Sequence, residues 1–139
     1  MEDSHKRVLA FGTFDGFHPG HRHYLAAAAG YGDLTVVVAR DSTVQKVKGR
    51  PPMRSEDERL RTLLEAGYHA VLGSQGDKYA VLQVFKPEVI CLGYDQVAFT
   101  DGLREACEKE GLACRIVRID AFKPDVYKSS LLNKRYAGS

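Results

Sequence analysis

Short apolar runs and longer amphipathic stretches alternate along the whole chain. Val8-Leu9-Ala10-Phe11 is apolar at every position and reads as a buried strand. An alanine-rich stretch from about Gly20 to Ala29 reads as a helix that stops at Gly30-Tyr31-Gly32. Leu34-Thr35-Val36-Val37-Val38-Ala39 predicts a second strand, apolar on both faces as a central parallel strand should be. The polar stretch from Arg40 to Arg54 reads as a loop. Ser55-Glu56-Asp57-Glu58 then has the capping-box pattern, with Ser55 as N-cap and Glu58 at the third helical position. Leu60, Leu63 and Leu64 supply the apolar stripe of this helix, and Gly67 ends it. Ala70-Val71-Leu72 predicts a third strand, and Tyr79 to Phe85 a helix that Pro87 stops. Val89-Ile90-Cys91-Leu92 predicts a fourth strand running into the turn Gly93-Tyr94-Asp95. A helix from about Asp101 to Glu110 ends at Gly111. Arg115 to Ile119 alternates and reads as a half-exposed edge strand, and Ser129-Ser130 opens a last short helix.

This βαβαβαβαβα order predicts an α/β fold. The expected form is a single-domain, Rossmann-like, doubly wound parallel sheet of about five strands, with helices on both faces and right-handed crossovers. One domain is expected over residues 1–139, with 1–6 as a flexible N-terminus and 132–139 as a frayed C-terminus. In such sheets ligands bind beyond the carboxyl ends of the strands, near the point where the strand order reverses. Three polar segments follow strands, 12–21, 40–54 and 93–96, so they are expected to meet on one rim.

Composition narrows the partners. A hydrophobic content of 44% and a charged content of 27% are those of a globular domain with a real core. The net charge of +2 is too small to argue for nucleic acid or a membrane surface as partner. No run approaches transmembrane length, and the charged N-terminus has no apolar stretch of the signal-peptide kind behind it. Cys91, Cys107 and Cys114 are odd in number and lack CxxC spacing. They read as small buried hydrophobes in a reducing, cytoplasmic setting.

The chemistry concentrates in Gly12-Thr13-Phe14-Asp15-Gly16-Phe17-His18-Pro19-Gly20-His21, where a strand hands over to a helix. A helix N-terminus has free backbone N–H groups and partial positive charge, and glycines let a ligand approach the backbone. The segment is neither GxGxxG nor a Walker A loop, since no Gly-Lys-Ser/Thr comes after it. His18 and His21 as zinc ligands, or as a purely structural pair, are the competing readings; HExxH spacing and a second ligand pair are both missing. The run Lys46-Val47-Lys48-Gly49-Arg50-Pro51-Pro52-Met53-Arg54 carries four cations and no acid. A solvated basic loop is the plain reading. Its place after the second strand lets it reach the same rim, so a phosphate role falls to Lys46 first and Lys48 second. Leu92-Gly93-Tyr94-Asp95-Gln96 reads as a turn, and the hydroxyls of Tyr127-Lys128-Ser129-Ser130 as helix caps.

The strand, then Gly-Thr-Phe-Asp, then His-x-Gly-His opening a helix, resembles the HxGH motif of the nucleotidyltransferase superfamily. The resemblance implies that His18 and His21 stabilise the transition state at the α-phosphate of a nucleoside triphosphate, with Lys46 as the third catalytic group. It implies nucleotide contacts from Thr13, Phe14, Asp15, Pro19, Gly20, Asp95, Ser129 and Ser130. Lys48 and Lys128, or Lys123 in place of Lys128, would touch phosphate, and Asp15 would lie beside the phosphates or a metal ion. Within the superfamily, residues 38–50 and 92–96 look most like the small archaeal-type FAD synthetases. That implies adenylyl transfer from ATP to FMN with Mg²⁺ or another divalent cation, and a homodimer is compatible with the edge-like fifth strand. The alternatives are transfer of CMP from CTP to glycerol 3-phosphate, and a non-catalytic nucleotide-binding module.

Overall fold

A computed structural model of the chain describes residues 6–74, 79–93 and 102–120. The elements are β1 (Arg7–Gly12), α1 (Pro19–Ala29), β2 (Asp33–Val38), α2 (Asp41–Lys48), α3 (Glu56–Glu65), β3 (Ala70–Leu72), α4 (Val81–Phe85), β4 (Val89–Gly93), α5 (Leu103–Lys109) and β5 (Arg115–Ile119). Five parallel strands lie in the order β3-β2-β1-β4-β5. The order reverses between β1 and β4, and that gap is the switch point of the sheet.

The period-two pattern of the strands sorts the core into two layers. Val8 and Ala10 of β1, Val36 and Val38 of β2, and Val89 and Cys91 of β4 pack with Tyr24, Leu25 and Ala28 of α1 and Leu63 of α3. Leu9 and Phe11, Val37, and Ile90 and Leu92 point the other way, onto Val81 and Leu82 of α4 and Leu103 and Cys107 of α5. Helices α1 and α3 belong to connections running outward from β1 to β3, while α4 and α5 belong to connections running the opposite way. Right-handed crossovers therefore put the two pairs on opposite faces. The doubly wound sheet expected from the alternation is present.

Two local expectations need correction. The stretch 40–54 is not all loop, because Asp41–Lys48 forms α2. Its N-cap, Arg40, has no side-chain cap; Asp41 instead donates its backbone N–H to Glu56 Oε1 at 2.7 Å, from the first turn of α3. A helix capped from another element leaves no start signal in its own sequence. Its end is conventional, with Lys46 and Lys48 in the last turn and Gly49 in the left-handed conformation. The second correction is in α3. Ser55 and Glu58 form the expected capping box, but Leu64 is 48% exposed while Arg59 is 0% exposed. The buried line of this helix is 59 and 63, and Leu64 sits about 100° around from Leu63.

The cysteines behave as expected of packed thiols. Cys91 and Cys107 are buried and all three are free. Burial pushes the Cys91 thiol up to about 11 against the pull of the Arg115 charge. Burial, and then the neighbouring Cys107, push Cys114 up to about 12. Leu25 is 0% exposed on α1 and anchors the helix that carries both histidines. Leu25→Ala is expected to cost about 2–5 kcal/mol in urea denaturation; a loss below about 1 kcal/mol would contradict this packing.

Candidate active site

The N-terminus of α1 opens beside the switch point. Pro19 occupies the first helical turn, where its missing N–H costs nothing, and no acidic side chain offsets the positive end of the helix. His18 is the N-cap. Its Nδ1 accepts the Gly20 N–H at 3.1 Å, and His21 Nδ1 accepts the His18 N–H at 3.2 Å. This is a capping box built from imidazoles. The His21 N–H is itself taken by the His18 carbonyl at 2.9 Å. The backbone donors of His18, Gly20 and His21, expected to face an anion, are thus already used.

The histidines replace them. A ring whose Nδ1 accepts an N–H carries its neutral proton on Nε2. Each imidazole therefore takes up a helix-terminal donor on one edge and carries an Nε2–H on the other. The two rings stack with centroids 3.7 Å apart and planes 19° from parallel. Two such donors side by side suit neighbouring oxygens of one phosphate chain.

Aromatic packing sets the angle of this pair. Phe14 and His21 meet edge to face at 5.3 Å between centroids, and Phe17 lies parallel to His21 at 5.9 Å. Phe14 has φ 56°, in the left-handed region that few side chains adopt. That turn folds its buried ring back over Gly12, where an added Cβ would come within 2.7 Å of the ring. Gly12 is needed because Phe14 occupies the space of its side chain. One turn along α1, the Tyr24 hydroxyl lies 2.8 Å from both the Phe11 and the Cys91 carbonyls. It bridges β1 and β4 beyond Ala10↔Cys91, the last pair of their ladder.

Arg59 holds the other side of the site together. Its Nε donates to the Arg54 carbonyl at 3.0 Å, and its Nη1 to the Thr13 and Ala39 carbonyls, both at 2.8 Å. Its Nη2 pairs with Asp41 Oδ1 at 2.7 Å. One guanidinium thus ties the loop after β1, the end of β2, the start of α2 and the loop before α3. Asp15 adds a second tie, accepting the Met53 N–H at 2.7 Å and the Arg54 N–H at 2.9 Å. Partial burial pushes the Asp15 carboxyl up, but those two N–H groups and the charges of Arg59 and Lys48 together hold it below its ordinary value.

Between these ties lies a shallow cavity of about 120 Å³ lined by Thr13, Asp15, Val44, Lys48, Arg50, Pro51, Pro52 and Met53. Lys48 comes four residues after the buried Val44 and so shares its side of α2. Lys46 is two residues from Val44, about 200° around, and is exposed outside the cavity lining. The fold brings together Thr13, Asp15 and Lys48, and sets His18, Pro19, Gly20 and His21 on the adjoining helix terminus. Phe14 is a packing residue whose contribution at the rim is its backbone turn. Asp95, Lys123, Lys128, Ser129 and Ser130 lie outside the described residues. Arg59, Tyr24 and Glu56 are absent from the residues singled out by sequence. Arg59 leaves one trace there, a cation four residues before Leu63 on the apolar side of an amphipathic helix.

Comparison with known proteins identifies relatives of the whole domain. A family model described as cytidylyltransferase-like matches residues 9–135. The FAD synthase of Methanosarcina mazei is 46% identical over 121 residues, covering 84% of this chain and 78% of that protein. The FAD synthase of Methanothrix thermoacetophila is 44% identical over 127 residues, covering 89% and 87%. A crystal structure from Thermoplasma volcanium, described as a lipopolysaccharide core biosynthesis protein, superposes with a TM-score of 0.77 at 40% identity. It covers 85% of this chain and 98% of that one.

Two expected outcomes test the ties. Arg59→Met keeps side-chain length but leaves three carbonyls and Asp41 without their donor; it should cost about 3–5 kcal/mol in denaturant unfolding. Wild-type stability in that variant would show that Arg59 is not the clasp. For Asp15, the folded value lies below the unfolded one. Its stabilising contribution is therefore full above the ordinary carboxylate value and disappears as pH falls through the folded value. Below about pH 4, Asp15→Asn should lose stability less steeply than wild type when Tm is tracked against pH.

Proposed function

The chain belongs to the cytidylyltransferase-like family, and we propose that it is an ATP:FMN adenylyltransferase, forming FAD and pyrophosphate. The observation that carries the reaction type is the stacked histidine pair at the head of α1, each ring with its Nε2–H on the edge opposite its capping contact. The choice of ATP and FMN is supported by likeness to FAD synthases at 41–46% identity over 84% of this chain.

The reaction is a single in-line displacement. A non-bridging oxygen of the FMN phosphate bonds to the α-phosphorus of ATP. The bond from that phosphorus to the α,β-bridging oxygen breaks, and its electron pair leaves on pyrophosphate. No enzyme nucleophile is needed, so catalysis is positioning plus donors where negative charge collects. His18 and His21 supply those donors. Lys48 supplies a positive charge on the cavity side, and we rank it ahead of Lys46 because it lies on the face of α2 turned to the cavity. A unit charge about 4 Å from phosphate is worth about 4 kcal/mol at an effective dielectric of 20. On this reading Asp95 contacts the nucleoside, while Ser129, Ser130 and Lys128 close on the β- and γ-phosphates.

Among the described residues, no group of three or more His, Cys, Asp or Glu side chains is placed to hold a metal ion. Both Asp15 oxygens already accept backbone N–H groups. These residues do not form a cation cage; a divalent cation such as Mg²⁺, if carried in on ATP, would supply further charge neutralisation on the phosphates.

Incubation with ATP, Mg²⁺ and FMN should yield FAD by chromatography; turnover of CTP with glycerol 3-phosphate instead would replace this reading. His21→Ala should keep the far-ultraviolet spectrum and lose about 10²–10³-fold in kcat. Lys48→Ala should lower turnover more than Lys46→Ala, and the opposite ranking would return the phosphate role to Lys46.

A further inference from the structure

Met53 is 95% exposed, more than any other large apolar side chain among the described residues. It stands next to Pro51 and Pro52 and lines the same cavity as Thr13 and Asp15, which come from the loop that leads to the histidines. Its backbone is tied on both sides. Gly49 turns the chain in the left-handed conformation, two prolines fix the backbone just before Met53, and Asp15 receives the N–H groups of Met53 and Arg54. Arg59 fixes the Arg54 carbonyl. A rigid loop thus displays a polarisable apolar side chain that the described residues leave uncovered.

The lining of this cavity is mixed. Thr13, Asp15, Lys48 and Arg50 are polar or charged, whereas Val44 and the consecutive Pro51, Pro52 and Met53, which form a lip, are apolar. That division fits a molecule with a flat apolar body and an anionic tail. The lip belongs to the connection after β2, so it lies on the β2 side of β1. The switch-point crevice between β1 and β4, where a nucleotide binds in such sheets, is on the other side. The group facing the lip is therefore the acceptor rather than the base of ATP.

We propose that Met53, with Pro51 and Pro52 beside it, packs against the isoalloxazine ring of FMN and sets the enzyme's preference for a flavin acceptor. This rests on the adenylyl-transfer reading. Thioethers pack well on aromatic rings and adapt to their shape. The cations at Lys48 and Arg50 line the same cavity, where they would meet the flavin phosphate.

Quenching of flavin fluorescence tests the contact without turnover. Met53→Ser is expected to weaken FMN binding by about tenfold and to raise KM for FMN to match, with KM for ATP unchanged. Met53→Leu restores the apolar surface and should recover most of the binding. Unchanged flavin binding in Met53→Ser would overturn the proposal. So would a rise in KM for ATP in place of FMN, or a shift to smaller species in size-exclusion chromatography with flavin binding intact. If the unsubstituted protein binds flavin but forms no FAD, the adenylyl-transfer reading fails while the titration still decides whether Met53 meets the ring.

Discussion

The buried guanidinium of Arg59 is the constraint on which the site depends. Removing an arginine from water costs several kcal/mol, and the charge is tolerable only because Asp41 neutralises it and three carbonyls take up its other donors. Those carbonyls belong to Thr13, Ala39 and Arg54, on segments that the β1–β2 pairing and Asp15 also draw together. The loop after β1, the end of β2 and the loop before α3 all meet at this one planar group. Because the hydrogen bonds of a guanidinium are fixed in direction, it specifies geometry as well as proximity.

Around that clasp the site divides into two parts with different physics. The histidine pair depends on local geometry, with two imidazoles filling the roles of N-cap and third helical residue. This carries the donor capacity of a helix terminus outward onto two side-chain edges. A backbone anion site is limited by how closely a ligand can approach the main chain. Imidazoles set further out present their Nε2 edges beyond the main chain. The cavity side depends on tertiary ties, since Asp15 and Arg59 hold the loop bearing Lys48, Arg50 and Met53 against the loop that begins α1. Tyr24 joins the two parts to the sheet at the point where β1 and β4 separate.

Legibility in the sequence depends on how local each cause is. The strands are readable because each is a short apolar run, and α3 because Ser55 and Glu58 cap it from within. The HxGH segment is readable because its chemistry lies in the consecutive residues 12–21. Helix α2 is hidden because Glu56, fifteen residues beyond Asp41, supplies its cap. Hydrophobicity alone puts Leu64 in the core and leaves Arg59 out of it, since it cannot show that a cation has four partners waiting in the fold.

The sequence by itself determined the order of elements, the parallel doubly wound sheet and the place of His18 and His21 at the head of α1. Those depend on residue types at short spacing, where the backbone period decides what meets what. Only the tertiary structure decided that Lys48 rather than Lys46 faces the cavity and that Met53 stands exposed at its lip. Each of these depends on the rotation of a helix or the closing of a loop. Hydrogen bonds between residues tens of positions apart set both, and no local pattern encodes them.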